Sequence, residues 1–246
     1  PGALAPGLED KIVAEVHRQI PAPFSGKHAG RSEDAASKIA KLIDGLAVGT
    51  LGPITTAALT AIGNGSAGGS GVSFSNSGAV TPQPVKIGGS SLLLDNHSGG
   101  LYVTSKGAVT LASITASDSS QGAGVEIYNA GPGSAGGVTL TGTSLFSSND
   151  GTGMIIHSRG AITLKTTRLE SVHNGLGGSG AGVELVNTDA DTPMSVTLSG
   201  VSLFDDNRNI NLSVLSHGAI NLTNVTANRS QLGHGLYAYN AYLGST

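Results

Sequence analysis

The chain has 246 residues, including 38 glycines, with 4% aromatic and 12% charged residues and a formal net charge of −3. It has no basic cluster of the kind that binds nucleic acid, and no apolar run reaches the roughly 20 residues that span a bilayer. The absence of cysteine excludes a disulfide framework and cysteine-based metal sites.

Residues 1–45 differ from the rest of the chain, because they hold 6 of the 13 Lys and Arg residues and 6 of the 16 Asp and Glu residues. Apolar residues at helical spacing predict two amphipathic helices here. The first contains Leu8, Ile12 and Val16, and the second contains Ile39 and Ile43. We predict a small α-helical cap over the domain that follows, and a docking surface for a neighbouring protein is the alternative.

Residues 46–246 contain one short phrase four times, each copy running from a glycine through alternating residues to an asparagine. The copies end at Asn76, Asn129, Asn187 and Asn240, and their glycines are 53, 58 and 53 residues apart. Between them lies a second phrase, with copies starting at Leu101, Met154 and Leu212 and a degenerate copy at Leu46. Periods this long predict two coils of a solenoid each.

Within each coil, apolar residues alternate with Thr, Ser or Lys at period two, which indicates strands with one buried face. Short strands separated by glycine-rich corners predict an all-β solenoid, specifically a parallel β-helix of about seven and a half coils. Parallel crossovers are almost always right-handed, so we expect a right-handed helix.

Two columns of asparagine are expected at the bends of this helix. Inward asparagines there can bond the backbone of the turn, so we predict a structural role, with ligand binding as the alternative. One column contains the four phrase-ending asparagines, and the other contains Asn96, Asn149 and Asn207.

Candidate chemistry is sparse along the predicted coils. Glu126 and Glu184 occupy one outward position two coils apart, near the upper limit of the carboxylate separation in inverting glycosidases. Acidic residues such as Asp95 and Asp206 fall at a corner where calcium ligands can lie, but the calcium-binding nonapeptide repeat is absent. We assign no catalytic residue, metal or cofactor.

A basic column and a polar column are also predicted on the outside of the coils. Lys106, Arg159 and His217 fall at one position of the short coils, where they either meet anionic sugars or are solvated. Thr110, Thr139, Thr163 and Thr197 form a polar column that is suited to ice binding, a third functional alternative.

The C-terminal stretch from Gly235 forms half of a further coil. Its inward residues would leave apolar surface and strand edges uncovered unless another chain, or more of this chain, packs against them. Leu236, Ala238, Tyr239 and Tyr242 are therefore predicted assembly contacts on this side. Leu8, Ile12, Val16, Ile39 and Ile43 are the candidates on the other.

Phrases such as Gly160–Leu164, Gly218–Asn228 and Val138–Gly142 resemble the repeats of large prokaryotic cell-surface exoproteins, loosely of the filamentous-haemagglutinin adhesin type. The resemblance covers about residues 46–246 and specifies architecture rather than activity. It implies an extracellular or cell-surface structural or adhesive protein, as a fibre or sheath, with a cell-surface glycan as a further candidate partner. Independently, one capped and one open end predict end-to-end assembly with itself into a filament. The alternative is a polysaccharide-binding or polysaccharide-cleaving β-helix protein.

Overall fold

The computed structural model describes residues 45–65 and 68–240. These residues form strands, turns and bends and contain no helix. Within this part of the chain, nothing meets the length and hydropathy of a membrane-crossing helix. The predicted helices with Leu8, Ile12, Val16, Ile39 and Ile43, and the predicted contact Tyr242, lie outside the described residues.

Eight strands form sheet A, with strands numbered in chain order throughout. In spatial order they are β1 (Leu46–Gly49), β4 (Val72–Ser75), β7 (Leu101–Thr104), β10 (Val125–Asn129), β12 (Met154–Ser158), β14 (Val183–Val186), β16 (Leu212–Ser216) and β19 (Leu236–Asn240).

The remaining strands form sheet B in two adjoining columns. The first contains β2 (Ile54–Thr56), β5 (Val85–Ile87), β8 (Val109–Ala112) and β17 (Ile220–Leu222). The second contains β3 (Thr60–Ile62), β6 (Ser91–Leu94), β9 (Ile114–Ser117) and β18 (Val225–Asn228). Three long strands belong to both columns, namely β11 (Val138–Ser147), β13 (Ile162–Val172) and β15 (Val196–Asp205).

Successive stretches of chain build the two sheets in the same way. We call the stretch that begins with the nth strand of sheet A repeat n, so that repeat 4 contains β10 and β11. Every strand pair is parallel and joins equivalent strands of neighbouring repeats. An all-β chain with long parallel sheets of this order is consistent with the predicted parallel β-solenoid.

Alternation along each strand builds the core. In sheet A, Val125 pairs with Leu101 and Met154, while Ile127 pairs with Val103 and Ile156. These side chains point inward and have at most 1% of their surface exposed. A one-residue slip would turn every inward side chain outward, so burial of this face fixes the register.

Long strands of sheet B bend between the two columns at glycine. Gly142 of β11 has φ of 76°, and the pairing with β13 shifts register immediately after it. Gly200 of β15 has φ of 95°, and a Cβ there would lie 1.6 Å from the Thr166 carbonyl oxygen. Only glycine provides both this conformation and this close approach.

Each repeat leaves sheet B through one residue in the left-handed conformation. These residues follow the last paired position of the second column, and their φ values lie between 47° and 68°. Left-handed backbone is costly for residues with a Cβ, yet six of the seven are not glycine. From repeat 1 to repeat 7 they are Gly63, Asp95, Asp118, Ser148, His173, Asp206 and Arg229.

The left-handed corner predicts that glycine substitutions at two adjacent serines change the free energy of unfolding in opposite directions. Ser148→Gly should raise the free energy of unfolding by about 0.5–1 kcal/mol, because glycine adopts the left-handed conformation without the steric cost. Ser147→Gly should lower it by a similar amount, because Ser147 is extended within β11 and glycine loses more entropy there. Urea unfolding of both variants measures the two shifts, and equal signs would contradict this account of the corner.

Candidate functional site

Buried asparagines follow the left-handed corner residues. Asn96, Asn149 and Asn207, which the sequence puts in one column, are each 0% exposed. The same column also contains Asn64 and Asn174, so five of the seven repeats have asparagine here. In repeats 3 and 7 the position is Ser119 and Ser230.

Hydrogen bonds join these asparagines across repeats in one direction. Asn149 donates from its backbone N and from Nδ2 to Asn174 Oδ1, at 3.2 and 2.8 Å. Asn174 donates in the same way to Asn207 Oδ1, at 3.0 and 2.9 Å. The amide of Asn149 also bonds backbone, accepting from Ser119 N and donating to Ala116 O. The side chain of Asn149 therefore joins its own repeat, repeat 4, to both neighbours, repeats 3 and 5.

Room for each asparagine comes from a glycine at the start of the sheet A strand in the same repeat. A Cβ on Gly124 would lie 2.8 Å from Asn149 Nδ2, and one on Gly182 would lie 2.6 Å from Asn207 Nδ2. In repeat 7 the asparagine lies at the start of the sheet A strand, and the position after the corner residue is not asparagine. There Asn211 replaces the glycine, and its Oδ1 accepts from the N and Nδ2 of Asn207 at 3.1 and 2.7 Å.

Sequence comparison of the repeats missed Asn64, Asn174 and Asn211. The first two lie in the repeats with the second phrase, whose spacing to the corner differs from that of the first phrase. A detectable signal exists, since both stand before a glycine in Gly63-Asn64-Gly65 and His173-Asn174-Gly175. Asn211 provides its amide from the opposite side of the corner, which repeat spacing alone does not reveal.

The second asparagine column lies at the end of the sheet A strands. Asn76, Asn129 and Asn187 each donate from Nδ2 to the carbonyl seven residues on, at 2.9, 2.8 and 2.8 Å. The bond closes a loop that leads to sheet B in repeats 2, 4 and 6. The register puts Asn240 at the equivalent position of repeat 8.

Hydroxyl residues occupy this position in the odd repeats. Ser158 Oγ accepts from Gly160 N at 3.0 Å, and Ser105 and Ser216 accept in the same way from the glycine two residues on. Thr50 Oγ1 accepts from Gly52 N in repeat 1. Tight turns therefore alternate with loops along this edge.

The predicted basic column lies in the tight turns and binds the loops. Lys106 Nζ donates to Ala79 O at 3.3 Å, and Arg159 lies 3.5 Å from the carboxylate of Asp191. His217 Nδ1 lies 2.8 Å from Ala190 O. All three side chains therefore contact loop residues, and the carboxylate of Asp191 partly offsets the charge of Arg159.

The acidic corner residues lie at the edge between sheet B and sheet A. Asp205 forms a bidentate ion pair with Arg229, and this hydrogen bond holds the pKa of Asp205 below its usual value. His173 lies 2.9 Å from Asp206. Among the described residues, no three His, Asp or Glu side chains are grouped closely enough to hold a metal ion.

Sheet A has an outward face with two columns of side chains. The first column contains Ser73, Tyr102, Glu126, Ile155, Glu184, Ser213 and Tyr237 in spatial order. The second column contains Thr104, Tyr128, His157, Val186, Leu215 and Tyr239 in the corresponding repeats 3 to 8. Four of the five tyrosines of the chain are therefore on this one face.

The centre of this outward face brings aromatic and acidic groups together. The rings of Tyr128 and His157 are 6.3 Å apart between centroids and tilted by 34°. His157 Nε2 lies 4.0 Å from Glu184 Oε1, and each of these two side chains is about one third exposed. Sequence reasoning identified the two glutamates but did not connect them with these rings, which lie two residues further along each strand.

Glu126 and Glu184 flank Ile155, two strand spacings or about 9.6 Å apart at the backbone. Inverting glycosidases leave a water-filled gap of roughly 6.5–9.5 Å between their carboxyl groups. Here Ile155 occupies the outward position between the two glutamates.

The threonine column lies on the outward face of sheet B. Thr110, Thr139, Thr163 and Thr197 occupy equivalent paired positions, with Lys86 and Asn221 next to them at the two ends.

No protein-family model, curated protein or solved structure matches this chain.

The corner amides generate a first prediction for this site. Asn149→Ala should lower the free energy of unfolding by about 2–4 kcal/mol, because it leaves Ser119 N and part of Asn174 Oδ1 buried without partners. Asn221→Ala on an exposed strand is the matched control and should change it by less than about 0.5 kcal/mol. Urea unfolding of the two variants compares them, and equal losses would contradict the structural role.

Repeat 3 generates a stabilising prediction, because serine occupies its corner position beside the existing glycine Gly100. In Ser119→Asn, the new Oδ1 can accept from the N and Nδ2 of Asn96, and the new Nδ2 can donate to Leu93 O, by analogy with Asn149. The free energy of unfolding should rise by about 1 kcal/mol. Ser119→Ala is the control in the same urea measurement. It removes a buried hydroxyl that has no hydrogen-bond partner among the described residues, so a slight stabilisation is expected from this change alone, and the rise in Ser119→Asn should exceed it.

Proposed function

We propose that this chain is a structural protein of the cell exterior, a right-handed β-solenoid subunit that assembles end to end into a surface fibre, sheath or filament with adhesive capacity. The observation that carries the proposal is the difference between the two ends of the described stack. The location is supported by the resemblance of the repeats to those of cell-surface exoproteins.

Inward residues of the first repeat are buried. Leu46 and Val48 of β1 are each 8% exposed, and Ile54 of β2 is 4% exposed. Inward residues at the other end are much less covered, since Leu236 is 44% exposed and Ala238 is also exposed. Apolar surface of this kind is stabilised by contact with another protein surface.

The strand edges at the exposed end support the same interpretation. Among the described strands, β19 pairs with β16 alone, and a strand at the end of a sheet is suited to pairing with a strand of a neighbour. Two unlike ends favour a head-to-tail contact, which builds filaments when it does not close into a ring. The neighbour's proposed contacts lie before residue 45, outside the described residues, and they are Leu8, Ile12, Val16, Ile39 and Ile43.

Assembly is tested by light scattering and negative-stain electron microscopy of the purified chain at rising concentration. We expect filaments that disappear in Ala238→Lys, because an inward charge on an edge strand opposes pairing. Tyr239→Asp, which leaves the inward side chains unchanged, should shorten them. Tyr102→Asp is the matched control and should leave assembly unchanged, because both edges of β7 are already paired.

Thermal unfolding of each variant establishes that it is folded before assembly is compared. Monodisperse particles of the unaltered chain at every concentration would overturn the proposal. Filaments that form equally in Ala238→Lys would also overturn it, because the β19 edge would then not be the contact.

A further inference from the structure

We propose that the outward face of sheet A binds a cationic amino-sugar polymer, of the glucosamine type, across Tyr102, Glu126, Tyr128, His157 and Glu184. We call these residues the sheet A patch. The proposal is independent of end-to-end assembly, because the patch lies in repeats 3 to 6, away from the β19 edge.

The outward face of sheet A has carboxylates but no Lys or Arg side chain. The outward positions of the eight sheet A strands include Glu126 and Glu184 and no Lys or Arg. Among the described residues, Glu184 has His157 within ion-pair range, at 4.0 Å. Two partly exposed carboxylates in a field without nearby fixed cations favour a ligand that provides ammonium groups.

Aromatic rings provide the second element of recognition. Tyr102 and Tyr128 are 37% and 41% exposed on adjacent repeats, so their faces are accessible to a ligand. Tyr128 and His157 form a tilted aromatic pair beside the carboxylates. A pyranose ring has an apolar face that can cover such rings, while an amino group at its rim can reach a carboxylate or a ring face.

The geometry favours a sugar polymer over a peptide strand. Strands β7, β10, β12 and β14 are each paired on both edges, so they have no free backbone groups for strand addition. A pleated outward face instead displays side chains at about 4.8 Å per repeat, which suits a flat chain lying along the stack. Ile155 between the glutamates adds apolar contact to this face, and the proposal concerns binding alone.

The test is calorimetric titration of the full chain with glucosamine oligomers, beside N-acetylglucosamine oligomers of the same length, which lack the charge. We expect the charged oligomer to bind and its affinity to fall as salt rises. The double variant Glu126→Gln with Glu184→Gln should weaken binding roughly tenfold. Tyr128→Ala should weaken it by about threefold to fivefold.

Thr139→Ala on the outward face of sheet B is the matched control and should bind like the unaltered chain. The thermal unfolding midpoints of all variants should agree closely, because every altered side chain is outward. Equal binding of both oligomers, or unchanged binding in the glutamate double variant, would overturn the recognition of a cation. No binding of either oligomer at millimolar concentration would overturn the site.

Discussion

Buried side-chain amides join repeat 1 to repeat 2, and repeats 3 to 7 to one another, at the corner where the chain leaves sheet B. A left-handed residue turns the backbone there, and the turn leaves peptide groups inside the protein that no strand can pair. Asparagine solves this because its side chain carries both an acceptor and two donors. Asn149 and Asn174 each use the oxygen for the preceding repeat and the nitrogen for carbonyls and for the next amide. Since all these amides point the same way, each bond polarises the next and the row is cooperative.

Most repeats have a side-chain amide at the same place in this corner, but the amide does not always come from the same sequence position. In repeats 1, 2 and 4 to 6 it comes from asparagine after the corner residue, with glycine at the start of the sheet A strand. In repeat 7 it comes from the other side, where Asn211 replaces that glycine and Ser230 replaces the asparagine. Because the two side chains would occupy the same volume, none of these seven repeats has both amides, and repeat 3, with Gly100 and Ser119, has neither.

Stacking of the repeats brings side chains that are distant in sequence together on the outward face of sheet A. Strand pairing puts residues that are 24 to 29 positions apart next to each other, so single tyrosines and glutamates in different repeats combine into the sheet A patch. The loops lie along a different edge, where Lys106, Arg159 and His217 hold them by contacts to Ala79, Asp191 and Ala190. The patch thus remains a flat face without loops of its own, and the exposed β19 edge lies at one end of it.

The sequence determined the strand positions, the inward and outward alternation, and the column that joins Ser73, Tyr102, Glu126, Ile155 and Glu184, because period-two burial and repeated glycines act locally. Its two-coil period also anticipated where loops and tight turns alternate. The tertiary structure alone decided the left-handed corner, the amide row through Asn64, Asn174 and Asn211, and the proximity of Tyr128, His157 and Glu184. Those features depend on contacts between neighbouring repeats whose lengths differ, so sequence spacing does not encode them. Inter-repeat hydrogen bonding and close packing at the corner set them instead.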